Sequence, residues 1–302
     1  ACALTIGNFD GVHRGHRALL KQLKDGAQER GLVSCVMTFE PHPKEFFSPE
    51  QAPPRILNLR DKLAAFADIG IDRVVVEHFN TAFARLTPEE FVSEIIVKQL
   101  NAKWILIGDD FCYGAKRAGN FASLKAAGEK FGFEVSSIHT VQEDGERISS
   151  SALRAALASG DMQQAEKLLG RPYGISGHVI HGQKLGRQLG FPTLNLAVAN
   201  HLNHRKPATT GIFTAQVRGL SEKPLPAVAS LGVRPTVEDE GRVLLETHIF
   251  DYNETVYGKI ITVELLEKIR DEAKYPDLET LTQAIAIDAA HARNYFQKKN
   301  YV

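Results

Sequence analysis

The sequence predicts two dissimilar halves: a doubly wound parallel α/β sheet of Rossmann-like type, then a small antiparallel β-barrel closed by a terminal α-helix. Three observations carry this reading. Short apolar runs alternate with helical stretches through the first half, the pattern of a parallel sheet with crossover helices. Past Gly170-Arg171-Pro172 the period changes to short strands separated by turn residues, the pattern of a barrel. The chain then closes on one amphipathic stretch of helical spacing. Its 302 residues suffice for two cores, and the corner at Gly170 predicts domains at residues 1–170 and 171–302.

In order, Ala3-Leu4-Thr5-Ile6 reads as a strand that enters a glycine-rich turn. The helix after it is marked by Leu19, Leu20 and Leu23. Apolar runs at 33–39, 73–76, 104–107 and 134–138 predict buried parallel strands. Helices are expected between them at 60–69, 89–100 and 123–131. Thr87 can cap the second of these, with Pro88 at the first helical position and Glu90 completing a capping box. A helical pair follows at 150–158 and 162–169, broken by Ser159-Gly160-Asp161. Barrel strands are expected at 175–180, 213–217, 227–231, 243–250 and 260–266. Asp277 opens the last helix, whose Leu278, Leu281, Ile285, Ala289, Ala292 and Phe296 mark the face that covers the barrel.

Composition narrows the function classes. The 36 basic and 36 acidic residues cancel, which argues against a general nucleic-acid binder. The 43% hydrophobic content suits a globular protein, and no run approaches the roughly 18 apolar residues of a membrane span. Cys2, Cys35 and Cys112 are few and scattered, as expected in a reducing cytoplasm, and show no structural-zinc spacing. Small-molecule partners are therefore expected, with no nucleic acid and no membrane; weak or transient self-association stays open. No signal peptide is visible, and with Ala1 almost on top of the first strand the native start is expected upstream.

Chemistry concentrates in Gly7-Asn8-Phe9-Asp10-Gly11-Val12-His13-Arg14-Gly15-His16. Glycines let the backbone approach a ligand closely, and a helix start aims unpaired N–H groups and a positive dipole end at it. His13 and His16, three apart, can face one polyphosphate. The loop lacks Gly-Lys-Ser/Thr, so it is not a P-loop, and it lacks Gly-x-Gly-x-x-Gly, so dinucleotide redox chemistry is not indicated. Its His-x-Gly-His element resembles that of the nucleotidyltransferase superfamily, where histidines stabilise charge on ATP phosphates.

In the second half, Glu246 and His248 share one face of a predicted strand while Leu245, Thr247 and Ile249 share the other. A carboxylate on the open face can take a proton from an attacking hydroxyl, although without further context a solvated strand glutamate is the favoured reading.

Together these blocks resemble the bifunctional bacterial riboflavin kinase/FAD synthetase family over nearly the whole chain. In its adenylyltransferase module, the opening motif, Gly7 to Gly11 with His13 and His16, matches the ATP phosphate site. Thr38-Phe39-Glu40-Pro41-His42-Pro43 matches a loop near the substrate pocket, and Gly108-Asp109-Asp110-Phe111-Cys112-Tyr113-Gly114 matches a further motif. Ile148-Ser149-Ser150-Ser151-Ala152-Leu153-Arg154 resembles a loop that brings hydroxyls and one arginine to the phosphates. In the kinase module, the run from Gly182 to Asn195 resembles a glycine-rich loop followed by Pro-Thr-x-Asn. The resemblance implies phosphate contacts from Gly182, Lys184, Gly186, Gly190 and Pro192, and oxygens of Thr193 and Asn195 suited to Mg²⁺. It also implies Glu246 as catalytic base and Arg270-Asp271-Glu272 as a flavin-side loop. The implied substrates are riboflavin, FMN and ATP. Departures are Cys112 and Ala152 where the family often has arginine, Ser230 for a frequent asparagine and Phe213 for a frequent tyrosine.

Two other readings remain: an adenylyltransferase for another phosphomonoester, and a flavin- or nucleotide-binding regulatory module without catalysis. The second-half motifs argue against the first, and the presence of Glu246, Thr193, His13 and His16 against the second.

Overall fold

A computed structural model describes residues 1–108, 110–138, 142–143, 146–182, 186, 189–197, 207–233 and 243–299. The chain divides into two compact units, residues 1–53 with 62–149, and residues 54–61 with 150–302. Compactness therefore groups the helical pair and a short segment near residue 57 with the second half, whereas the sequence placed a boundary at Gly170.

The first unit carries β1 (Cys2–Ile6), α1 (Arg14–Glu29), β2 (Val33–Glu40), α2 (Pro43–Phe47) and most of α3 (Leu59–Ile69). Then come β3 (Arg73–His78), α4 (Thr81–Ala84), α5 (Pro88–Glu90), β4 (Ala102–Gly108), α6 (Phe121–Phe131), β5 (Glu134–Ile138) and a small hairpin, β6 (Gln142–Glu143) with β7 (Glu146–Arg147). The five main strands lie parallel in the order β3-β2-β1-β4-β5. β1 is central and buried throughout, which explains its apolar sequence. β3 and β5 lie at the edges and are only partly buried, where the sequence reading expected buried strands. An edge strand has a neighbour on one side only, so its apolar run says less about depth.

Thr87 accepts a hydrogen bond from the Glu90 N–H while Glu90 accepts one from the Thr87 N–H, which is the expected capping box. The helix continues through Phe91–Gln99 with wider π-type turns. Those turns place Phe91, Val92, Ile95 and Ile96 on the sheet beside Leu4, Ile6 and Met37.

The second unit contains α7 (Ser150–Ser159), α8 (Met162–Leu169) and six strands: β8 (Tyr173–Ile180), β9 (Leu194–Ala197), β10 (Gly211–Arg218), β11 (Leu225–Val233), β12 (Val243–Ile249) and β13 (Ile260–Arg270). They close an antiparallel barrel in the order β10-β11-β12-β9-β8-β13. β12 alternates buried and half-buried residues, as its period of two requires. β9 is only four residues long, too short for periodicity to mark it.

α9 (Leu278–Lys298), capped by Asp277, packs on β10 and β11. Its buried stripe is Asp288, Ala289, Ala292 and Phe296. Leu278, expected on the covering face, is exposed rather than buried.

Candidate functional sites

The first site is built where β1 ends. In a 3-2-1-4-5 sheet the strand order reverses beside β1, and all carboxyl ends lie along one edge, where ligands of such sheets bind. There Phe9, Gly11 and Val12 take φ values of 48°, 95° and 41°. Left-handed backbone at Phe9 and at β-branched Val12 costs on the order of 1–3 kcal/mol each. Both side chains are buried, and that burial, about 1.5–3 kcal/mol apiece, offsets the strain. The strained turn ends at His13, the N-cap of α1, whose Nδ1 accepts from the His16 N–H at 3.3 Å.

The two imidazoles stack with centroids 3.7 Å apart and planes at 14°. Phe9 meets the His16 ring edge-on at 5.2 Å. Burial, then the charges of His13 and of Lys62, hold the His16 ring well below the ordinary imidazole pKa. The site thus presents a neutral imidazole, a donor that needs no counter-ion. His16 Nδ1 and Asn8 Oδ1 are buried and without a hydrogen-bond partner among the described residues. Such buried polar atoms are what a polar ligand would satisfy.

Other expected residues follow along the same edge. His42 caps α2, its Nδ1 accepting from the Lys44 N–H while Glu45 accepts from the His42 N–H. Asp110 lies just beyond β4, and a methyl group on Gly108 would sit 3.2 Å from its Oδ1. Asp10 is buried in the turn itself. A methyl group on Gly15 would lie 3.5 Å from the Ile148 carbonyl, so the segment leading to Ser149 runs against the start of α1. Ser150 and Arg154 belong to α7 in the other unit, where Arg154 Nε donates to the Pro54 carbonyl at 2.9 Å.

The sequence reading missed an aromatic group beside this edge. Phe46, Phe47 and Phe79 meet edge to face at 5.2–5.6 Å, and Phe47 is 64% exposed. Lys62 was missed as well: it is buried, and its Nζ donates to the Asn8 carbonyl at 2.9 Å. Its spacing four residues before Phe66 was the available signal.

The second site is a cavity of about 250 Å³ in the barrel unit. It brings together Gly186, Thr193, Asn195, Glu246 and Arg270 from the expected set. Strand register explains part of this: Glu246 on β12 faces Asn195 on β9 and Ser230 on β11. Gly182 lies against Asn195, where an added methyl would come within 2.1 Å of the amide nitrogen. Gly190 and Pro192 lie beyond the cavity lining, Gly190 with φ 85°. Lys184 lies outside the described residues, as does Asp109 of the first-half motif.

Arg270 is held rather than free. Its Nε and one Nη donate to Asp288 at 2.9 and 2.6 Å, its other Nη donates to the Asp271 carbonyl, and Tyr275 lies 5.8 Å away. Asp288 escaped the sequence reading, although a carboxylate beside Ala289 on an apolar helical stripe was a signal. Glu272 accepts from the Ser230 hydroxyl at 3.4 Å, and burial followed by repulsion from Glu246 raises its pKa. A second cavity of about 340 Å³ shares Thr193 with the first and is walled by Tyr252, Asn253 and Tyr257. Tyr257 stacks on His181 at 3.8 Å.

The comparisons with known proteins follow the same division. A family model described as FAD synthetase matches residues 1–152, and one described as riboflavin kinase matches residues 169–296. The bifunctional riboflavin kinase/FMN adenylyltransferase of Escherichia coli (strain K12) is 46% identical over 98% of this chain and 93% of its own length. The chain belongs to this family. The Haemophilus influenzae protein of the same description is 43% identical over 98% of this chain and 94% of its own. A solved structure from Streptococcus pneumoniae, described as a macrolide-efflux protein, is 30% identical over 97% of this chain and 94% of its own, with a TM-score of 0.78. That description stays with that protein; among the described residues no helix is long and apolar enough to cross a membrane. Within the family frame, the histidine turn falls in the FAD synthetase match and the Glu246 cavity in the riboflavin kinase match, while Arg154 lies two residues past the end of the former.

Proposed function

We propose that this chain phosphorylates riboflavin to FMN in the barrel unit and adenylylates FMN to FAD at the histidine turn, with ATP as the donor in both steps. The carrying observation is that one chain holds both a strained His13/His16 turn on a parallel sheet and a Glu246/Asn195/Thr193 cavity in a barrel. The working modules run over residues 1–170 and 171–302, and the setting is the cytoplasm.

In the kinase step, Glu246 accepts the proton of the riboflavin 5′-hydroxyl as that oxygen attacks the γ-phosphorus. General-base help of this kind contributes roughly 10²–10⁴-fold. Thr193 lines both cavities, so it lies between an acceptor side that contains Glu246 and a side whose tyrosines suit the nucleoside of ATP. The backbone around Gly182, Gly186, Gly190 and Pro192, with Lys184, contacts the phosphates, and Arg270 shapes the flavin side. The oxygens of Thr193 and Asn195 fit a hard divalent cation, and the buried Asn195 Oδ1, without a hydrogen-bond partner among the described residues, supports that fit. A bound Mg²⁺ there would neutralise charge on the transferring phosphoryl group.

In the adenylyl step, the FMN phosphate attacks the α-phosphorus of ATP and pyrophosphate leaves. A phosphate monoester is already largely dianionic, its second pKa being about 6, so no general base is needed. The demand is for donors to the developing charge. His13, His16 and the amides at Asn8, Phe9, Asp10 and Gly11 meet it, with His42, Asp110 and Ser149 as further substrate contacts; Gly7 leads into the turn, its own N–H donated to the Met37 carbonyl at 3.0 Å, and the family resemblance assigns Ser150 and Arg154 to the same step. The exposed face of Phe47 offers the flavin ring an apolar surface.

The test is separability. His16→Ala is expected to lower FAD formation about 10²–10³-fold, in the range for loss of one charge-stabilising donor, and to leave FMN formation intact. Glu246→Ala is expected to do the reverse. Chromatography of flavins after incubation with riboflavin, ATP and Mg²⁺ reads both; loss of both steps in either folded variant, or unchanged riboflavin with the parent chain, overturns the proposal.

A further inference from the structure

Behind the histidine turn lies a cation that the mechanism above does not use. Lys62 sits on the first turn of α3 and is 4% exposed, a burial lysine rarely adopts. Its Nζ donates to the Asn8 carbonyl at 2.9 Å, and the Thr38 hydroxyl donates to the same oxygen at 3.3 Å. Four residues on, Phe66 meets the Phe9 ring edge-on at 5.6 Å. One face of α3 therefore grips two successive residues of the turn, one by charge and one by shape. After burial, and beside His13, the same ammonium disfavours a charged His16 ring.

Two further observations point toward a ligand here. His16 Nδ1 and Asn8 Oδ1 are both buried without a partner among the described residues. The left-handed backbone at Phe9 and Val12 persists only where surrounding structure over-determines it, and such strain collects at ligand sites. An ammonium out of water interacts far more strongly with a nearby anion than an exposed one does.

We propose that Lys62 is a positioning residue for adenylyl transfer: it anchors the strained turn through the Asn8 carbonyl and sets a fixed positive charge behind the stacked histidines. This inference rests on the adenylyl-transfer reading of the turn. The charge serves twice. It adds attraction for the polyphosphate that docks against the turn, and it keeps the His16 ring a neutral donor while the site is free of nucleotide. Lys62 acts through Asn8 and His16 rather than on the reacting atoms.

The test uses Lys62→Met, which keeps the length and loses the charge and the donor, with Lys62→Arg, which keeps both. Lys62→Met is expected to lower kcat for FAD formation from FMN roughly 10²-fold, the scale set by a misplaced site element. Riboflavin phosphorylation by the same chain should be unchanged, and Lys62→Arg should recover at least about tenfold, within the range a single charge-stabilising contact supplies. The acid limb of the FAD-formation pH profile should move to higher pH in Lys62→Met, because one of the charges that, after burial, disfavour protonation of His16 is then gone. An NMR titration of His16 in the parent chain, needing no variant, should show the ring neutral at pH values where a free imidazole, with pKa about 6.5, is charged. The proposal is overturned if Lys62→Met keeps kcat and KM within about twofold, well under the 10²-fold scale above. It is equally overturned if a loss comes with an unmoved acid limb and no arginine rescue, or if His16 titrates as a free imidazole. Should His16→Ala itself retain FAD formation, the reading of the turn fails, not the Lys62 inference alone.

Discussion

The turn after β1 and the cavity beside β12 handle charge in opposite ways. At the turn, stacked imidazoles, a buried ammonium and the first amides of α1 gather on a backbone held in a strained shape, beside the Asp10 carboxylate and the Asn8 amide oxygen. In the cavity acceptors predominate among the described residues, Glu246, Glu272 and the Asn195 oxygen, and Arg270 is already tied to Asp288. The contrast follows from the chemistry proposed for each. A dianionic nucleophile attacking a polyphosphate needs positive character and no base, whereas a hydroxyl nucleophile needs a base and oxygen ligands for a cation. Scaffolds differ accordingly: a parallel sheet offers a helix N-terminus at its switch point, and an antiparallel barrel offers a row of side chains in register across three strands.

Variants can break or sharpen this contrast. Beyond the His16 and Glu246 variants, the largest effect is expected from Gly182→Ala, since a methyl there would collide with the Asn195 amide. Displacing Asn195 by about 1 Å should slow riboflavin phosphorylation roughly 10²-fold and leave FAD formation from supplied FMN untouched. Initial rates of the two steps read this, and equal losses in both would erase the distinction between the sites. Next is Asp288→Asn, which leaves the Arg270 guanidinium without its charged partner. Hydrogen bonds to charged groups contribute about 1.5–3 kcal/mol, discounted here because the Arg270 side chain is 29% exposed. Denaturant unfolding of the barrel unit should shift by about 1–2 kcal/mol, and the riboflavin KM should rise more than kcat falls. A kcat-only effect would instead make Asp288 part of the phosphoryl-transfer machinery. Smallest is Thr87→Ala, which removes one arm of the capping box and should cost about 1 kcal/mol of first-unit stability with neither activity altered.

Much of the fold was legible because it rests on local rules. The β5 and α8 bounds coincide with the apolar runs that announced them, and Thr87, Asn120, Asp161 and Asp277 cap helices through their side chains. β9 was not legible as a strand, since four residues carry no period, and its place is set by pairing with β8 and β12. Within the sites, residues in short motifs were readable: Gly7 to His16, Thr193 and Asn195, Glu246. Those delivered from elsewhere were not. Lys62 reaches the turn from α3, Asp288 reaches Arg270 from α9, and Phe79 joins Phe46 and Phe47 from beyond β3.

Taken alone, the order of residues determined the two architectures, the glycine-rich turn and the alternation that aims Glu246 away from the barrel core. Hydrophobic period, caps and turn residues act over a few positions, so a linear string records them. Tertiary structure alone decided that His16 stacks on a second imidazole within the influence of the Lys62 charge, and that Arg270 is committed to Asp288. Burial and charge at a point depend on everything packed around it, and that sum is written only once distant segments meet.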